Sequence, residues 1–224
     1  MAKGRQVGVA VIVVVMTISE GALKILLVRQ DDKRWALPSS QPRVDESLLI
    51  AANRIVSEQA GIKMDYLEQL YTFGDQIPDD RPRIIEVSYY GLVPSVLLRT
   101  EKLADRSAVN WFAEVEQPPL VANHGTVVNV ARDRLRGKLA YSAVGFELLP
   151  GEFTLAELQN LYEVILGKEL DKRNFRRKIS ELGILEPTGK ERSSHQGRGR
   201  PASLYHFKPE VFRKIETKGD IFPF

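Results

Sequence analysis

The 224 residues, 43% of them hydrophobic, suffice for a buried core in each of two domains. There is no cysteine, which excludes disulfides and thiolate metal sites and leads us to expect a reducing compartment, the cytoplasm. The net charge of +3 is unevenly spread: residues 1–149 are neutral overall, whereas 171–208 hold ten basic against four acidic residues.

The first apolar run, VGVAVIVVVM (7–16), follows Lys3 and Arg5 as a leader sequence would, but no small-residue cleavage site comes after it and ten residues are too few to span a bilayer as a helix. Its β-branched composition predicts a strand buried on both faces. LKILLVRQ (23–30) reads as its hairpin partner across the turn-like SEGA. WALP (35–38) precedes a polar loop. Asp45 is placed to N-cap a helix over 46–60 that stops at Gly61. YLEQLYTFGD (66–75), IIEVSYYGLVP (84–94) and AVNWFAEV (108–115) read as strands, with the charged, proline-punctuated loop DQIPDDRPR between the first two. A second helix is predicted over 127–139. The alternation implies an α/β domain with a mixed sheet and helices packed on it.

A second domain is expected after residue 148. Thr154 and Glu157 form a T-x-x-E capping box, Leu155, Leu158, Leu161, Tyr162 and Ile165 follow at helical spacing, and Gly167 marks the end. Asp171 can then cap a helix running to about Leu182. On a helical wheel Lys172, Arg173, Arg176 and Arg177 fall in one arc, with Lys178 beside them in sequence, while Phe175, Ile179 and Leu182 fall in another. Two helices joined by a tight glycine-containing turn are the helix-turn-helix pattern. Two strand-like segments follow, ILEPTG and ASLYHFKP, flanking a basic loop that contains Lys190, Arg192, Arg198 and Arg200, a long hairpin tip or wing. Such an arrangement suits double-stranded DNA. Cations on the second helix meet phosphates and base edges, Asn174 or an arginine can pair a base bidentately, and the Gly-Arg-Gly-Arg-Pro tip can follow the backbone or enter a minor groove. A solvated basic helix face and a polar loop are the alternatives.

The predicted helix at 46–60 carries a further pattern. IAANRIVSEQAGI (50–62) resembles the metal-binding helix of the Nudix pyrophosphohydrolases, whose box runs G-x5-E-x7-R-E-U-x-E-E-x-G-U with U aliphatic. Aligned on Gly61 and Ile62, the box places its first glycine on Ser40, its first glutamate on Glu46, its arginine on Arg54, and its three carboxylates on Ile55, Glu58 and Gln59. Three carboxylates sharing one helical face could hold Mg²⁺ against a diphosphate and activate water. Here one remains, so neither a catalytic residue nor a metal ligand set is assigned. Glu46 and Arg54, eight residues apart on one helix, can brace the preceding loop.

A degenerate Nudix domain joined to a basic winged helix resembles the Nudix-related transcriptional regulators, known as repressors of NAD biosynthesis and salvage genes. The resemblance covers nearly the whole chain and is strongest in YLEQLYTFGD (66–75), SYYGLVP (88–94), LLPGEFTLAELQNLYEVILGKELDKRNFRRKI (148–179) and GRPASLYHF (199–207). It implies a Nudix-like mixed-sheet α/β/α domain over 1–148 followed by a C-terminal winged helix-turn-helix domain over 149–224. It also implies a homodimer on a palindromic operator, and a pocket that reads a small-molecule effector such as ADP-ribose, or in some members a sugar, without hydrolysing it. No cofactor and no membrane association are expected. Trp35, Arg54, Glu58, Arg81 and Arg83 are the candidate effector-binding residues. LVANH (120–124) and LPSS (37–40) depart from the usual pattern near that pocket. Two alternatives stay open: a Mg²⁺-dependent Nudix hydrolase of nucleoside diphosphate derivatives with an accessory nucleic-acid-binding domain, and an RNA-binding or general nucleic-acid module.

Overall fold

A computed structural model describes residues 7–74, 83–97, 108–193 and 201–216. The chain divides into two compact units, residues 1–17, 23–93 and 97–132 in the first and residues 18–22, 94–96 and 133–224 in the second. The predicted tip residues Arg198 and Arg200, and the predicted effector residue Arg81, lie outside the described residues.

The first unit is built on a mixed seven-stranded sheet. Strand β1 (Val7–Ser19) turns into β2 (Ala22–Arg29) through Glu20 and Gly21, both with positive φ (54° and 73°), as a two-residue primed hairpin turn requires. Two short strands, β3 (Trp35–Ala36) and β4 (Ser39–Ser40), precede helix α1 (Leu48–Ala60). Strands β5 (Tyr66–Phe73), β6 (Arg83–Leu92) and β7 (Val109–Ala113) complete the sheet, whose order is β3-β2-β1-β6-β5 with β4 on β1 and β7 on β2. β1 runs parallel to β6, from Val7 opposite Arg83 to Met16 opposite Leu92, and β5 pairs antiparallel with β6.

The run Val11–Met16 is no more than 1% exposed, so the strand is covered on both faces, as its unbroken apolar composition predicts. Val11, Val13 and Val15 share a core cluster with Ala51, Ala52, Ile55 and Val56 of α1. By strand alternation Ile12, Val14 and Met16 point to the opposite face.

Two helix starts differ from expectation. Ser47, not Asp45, caps α1, its side chain accepting a hydrogen bond from the Ile50 N–H at 3.3 Å. Glu46 therefore lies ahead of the helix, where its carboxylate is drawn to Arg54 and to the Arg43 N–H. Helix α2 (His124–Lys138) begins three residues before the predicted 127, because His124 and Asn123 are tied into its first turn. The division between the compact units falls inside this helix, ahead of the boundary expected at 148.

After the end of α2, the second unit continues with a 3-10 turn, Ala143–Leu148, and a two-residue strand β8, Phe153–Thr154. Helix α3 (Leu155–Leu166) carries the full capping box: Thr154 accepts from the Glu157 N–H at 3.1 Å, and the Glu157 carboxylate accepts from the Thr154 N–H at 2.7 Å. Gly167, at φ 66°, ends it in the left-handed conformation that glycine adopts without steric cost. Helix α4 (Lys172–Leu182) is capped by Asp171, as expected. Strands β9 (Leu185–Arg192) and β10 (Ala202–Phe207) join β8 in a three-stranded sheet of order β8-β10-β9, and helix α5 (Pro209–Glu216) follows.

Neither β8 nor α5 was expected from the sequence. Lys190 and Arg192, predicted in the loop, lie on β9 instead. Ion pairs to Glu152 and Glu157 hold them to the folded part of the domain. The core beneath is aromatic: Phe146 stacks on Phe207 with centroids 3.9 Å apart, and Tyr162 meets Phe175 edge-on at 5.8 Å.

Candidate ligand cleft and nucleic-acid interface

The box helix has exchanged its metal-binding groups for a lattice of neutral and paired side chains. Arg54 donates from Nε and Nη2 to Glu46, at 2.9 and 2.5 Å, from Nη1 to Glu58 at 2.9 Å, and from Nη2 to the Gln41 carbonyl at 3.3 Å. This is the predicted brace of the preceding loop against the helix, although Glu46 stands outside the helix rather than on it. The bound guanidinium holds the Glu46 carboxyl down at about 2 and raises Arg54 further above its already high value. Arg43 adds a second cation on Glu58, at 3.0 Å.

Ile55 points away from that lattice, 0% exposed within the core cluster. The expected common face for positions 55, 58 and 59 therefore does not exist as a solvent-facing surface. Gln59 makes a closed pair of hydrogen bonds with Ser39, its amide donating to the Ser39 carbonyl at 2.9 Å and its oxygen accepting from the Ser39 N–H at 3.3 Å. A divalent cation needs several oxygen lone pairs converging on one point. Here position 55 has no ligand atom, the position-59 amide directs hydrogens at a carbonyl, and Glu58 is engaged by two arginines. The donor set does not fit Mg²⁺, and among the described residues no three His, Cys, Asp or Glu converge.

Gln59 and Ser39 do line an open cleft of about 570 Å³, together with Arg29, Asp31, Leu37 and Val109 among others. That volume is in the range of small-molecule sites, and the mixture of apolar wall and a few polar groups is typical of them. Asp32, also in the lining, is bound by Arg34 Nε at 2.7 Å, which holds its carboxyl below the usual range. Of the predicted effector residues, Trp35, Arg54, Glu58 and Arg83 are all absent from this lining. Trp35 instead packs edge-on against Phe112 at 4.9 Å with the Arg29 guanidinium 5.8 Å from its ring, and Arg83 donates to the Gly74 carbonyl at 2.7 Å. The box register put one of its terms on Gln59, which lines the cleft, and another on Ser40, which does not but follows the lining residue Ser39. Arg29 ends β2 and Asp31 lies just beyond it, with no motif to mark either.

One wall of the cleft is fixed from a distance in sequence. The Leu37 N–H donates to His124 Nδ1 at 2.9 Å, and burial depresses the His124 imidazole to about 4, so it is neutral with its proton on Nε2.

In the second unit the predicted wheel of α4 is realised. Phe175 and Ile179 are buried, while Lys172, Arg173, Asn174, Arg176 and Arg177 are exposed and Lys178 is half-buried. Arg177 is partly committed within the helix, to Glu181 and to the Asn174 side-chain oxygen, each at 2.8 Å. On the wing, Lys190 donates to Glu152 at 2.7 Å, and Arg192 donates to Glu157 at 2.6 Å and to the Glu152 carbonyl at 3.1 Å. Both therefore anchor the base of the wing to the start of α3. The turn into α4 is equally fixed: the Glu163 carboxylate accepts from the Leu170 N–H and from Gln159 Nε2, each at 2.9 Å, and Gln159 also reaches the Leu170 carbonyl.

Comparison with known proteins adds to this geometry. Residues 6–129 match the family model of the NUDIX domain and residues 145–207 that of the NrtR DNA-binding winged helix domain. The ADPR responsive transcriptional repressor NtrR of Acinetobacter baylyi is 34% identical over 202 residues, covering 86% of this chain and 79% of its own. The crystal structure of Shewanella oneidensis NrtR complexed with a 27mer DNA is similar at a TM-score of 0.80 and 34% identity, covering 92% of this chain and 95% of that one. A MutT/nudix family protein from Enterococcus faecalis, 21% identical with a TM-score of 0.73 over 93% of this chain and 89% of its own, shares the fold.

Proposed function

This chain belongs to the NrtR family of regulators that join a Nudix domain to a DNA-binding winged helix, and on that premise we propose that it is an effector-responsive transcriptional repressor of NAD metabolism genes. Its sensing domain would span 1–148 and its DNA-binding domain 149–224. Two copies would grip a palindromic operator in the cytoplasm. The observation that carries the DNA-binding reading is α4, capped at Asp171, seated on Phe175 and Ile179, and presenting Lys172, Arg173 and Arg176 outward. Arg177, Asn174 and Lys178 extend that surface, Lys190 and Arg192 anchor β9 to the start of α3, and Arg198 and Arg200 are proposed as further DNA contacts. No helix among the described residues is long and apolar enough to cross a membrane.

The proposed effector is ADP-ribose, to which a 34%-identical repressor is responsive by name, and its proposed site is the cleft beside Gln59. Ile55 and Gln59 support binding without turnover, since they remove the charges that would fix a metal and polarise water. A ligand that binds one conformer better than another shifts the population by no more than its differential affinity.

A mobility shift with DNA from upstream of this gene and its neighbours, titrated with ADP-ribose, NAD and a panel of sugars, tests the reading. We expect sequence-selective binding that ADP-ribose alters. Equal affinity for random duplex at fixed salt would point to a general nucleic-acid module, and Mg²⁺-dependent release of product from ADP-ribose would point to a hydrolase.

A further inference from the structure

We infer that Arg43 is a ligand-binding residue, its guanidinium receiving the diphosphate of the effector in place of the divalent cation that the box would otherwise hold. This rests on the effector reading above and adds to it the side chain that takes the charged part of the ligand. Arg43 is not a defined term of the box; it falls in the five-residue gap between Ser40 and Glu46.

The negative charge of a diphosphate has to be met by cations and N–H donors when it leaves water. The lining of the cleft does not supply them. Its charged residues are Arg29, Asp31 and Asp32, one cation against two anions. Arg34 neutralises Asp32, but Arg29 already donates to the Lys33 carbonyl at 3.2 Å, with its guanidinium 5.8 Å from the Trp35 ring. Asp31 can accept from hydroxyl groups and repels phosphate. An uncharged, hydroxyl-bearing part of the ligand therefore suits the cleft, and the diphosphate is left to the side of Gln59 where Glu58 precedes it on α1.

Two arginines meet at Glu58, and they are not equivalent. Arg54 is 15% exposed, and all three of its side-chain nitrogens donate, to Glu46, Glu58 and the Gln41 carbonyl. Arg43 is 60% exposed, and among the described residues its side chain has one acceptor, Glu58 Oε1, 3.0 Å from Nη2. A guanidinium carries five N–H donors in a rigid planar fork that matches phosphate oxygens. Most of those of Arg43 thus remain for a ligand. Its position is fixed as well. The Arg43 backbone N–H donates to Glu46 at 2.7 Å, and Arg54 grips Glu46 in turn. Glu58, the one carboxylate left of the three in the box, holds the guanidinium itself. A cation so placed can bind a diphosphate, but it offers no coordination site at which water would be activated.

The test uses the full chain and two probes: ADP-ribose by titration calorimetry, in EDTA and in Mg²⁺, and inorganic pyrophosphate by phosphorus NMR line broadening in EDTA. Wild-type affinity for ADP-ribose should be the same in both buffers. In Arg43→Gln it should fall by about 10–100-fold, the size of one lost charge-assisted contact, and its dependence on salt should flatten. Arg43→Lys should recover part of both. A residue that only braced the loop would leave the salt dependence unchanged, and thermal melting of Arg43→Gln should match wild type because the side chain is exposed. Undiminished ADP-ribose binding by Arg43→Gln, or wild-type binding that needs Mg²⁺, would overturn the inference and leave the effector reading intact. Arg43-dependent broadening of pyrophosphate by a protein that ignores ADP-ribose would overturn the effector reading and leave the Arg43 site in place. A wild type that binds neither probe would overturn both.

Discussion

Restoring the metal-binding box should damage this protein rather than revive an enzyme. Ile55→Glu returns one missing carboxylate, but the side chain it replaces is 0% exposed within a cluster that includes Val11, Val13, Leu26 and Val56. The loss of a fully buried isoleucine costs about 2–3 kcal/mol. A carboxyl left there without a hydrogen-bond partner, even protonated, adds about 1–3 kcal/mol. The combined deficit, about 3–6 kcal/mol, is a large fraction of the 5–15 kcal/mol that holds a typical domain together. It corresponds to a fall in Tm of about 6–24 °C for a chain of this size.

Thermal and urea melts measure the deficit directly, and their pH dependence identifies its cause. Burial raises the folded-state pKa of the new carboxyl above its unfolded value, so the deficit should be smallest below the ordinary carboxylate range and grow as pH rises through it. By contrast Gln59→Glu, at the edge of the cleft, should cost only about 1–3 kcal/mol, through the lost donor to the Ser39 carbonyl. An Ile55→Glu protein with wild-type melting, or a double variant that turned over ADP-ribose with Mg²⁺, would show that position 55 faces the cleft and would refute the reasoning.

Three further outcomes follow from the same geometry. Arg176→Ala should weaken operator binding and reduce the slope of log K against log salt by about 0.9 for each phosphate it no longer neutralises, seen in anisotropy titrations across salt. Arg177→Ala should disturb it less, because Glu181 already shares that charge. Thr154→Ala removes the α3 cap and should cost about 1 kcal/mol in chemical denaturation, with α3 and the wing base loosened together because Glu157 serves both. Stability should fall as pH drops from about 6.5 toward 4, because His124 is neutral in the fold but takes up a proton when unfolded. His124→Asn should flatten that limb of the urea midpoint against pH. The Glu46 contribution, lost only between about 4.5 and 2, should remain.

Much of this molecule was legible because the deciding signals are local. The strand at 8–16, the T-x-x-E box at Thr154, the Asp171 cap and the opposed faces of α4 each depend on residues within one or two turns of one another. Chain geometry alone then fixes which side chains share a face. The register of the degenerate box, and with it the resemblance to Nudix-related regulators, was equally plain. The sequence also announced a division of labour, with a neutral first part and a basic second.

Tertiary structure decided what each of those side chains faces. Ile55 and Glu58 are near neighbours on one helix, yet one lies in the core and the other against two arginines, a distinction that depends on how α1 rests on β1. Lys190 and Arg192 read as part of a free cationic loop until Glu152 and Glu157, 35 to 40 residues away, claimed them. The cleft joins Arg29 and Asp31 to Ser39, Gln59 and Val109, and His124 reaches Leu37 across 87 positions. None of these meetings carries a spacing rule. They arise only when distant segments are buried together and their polar groups must find partners that water no longer supplies.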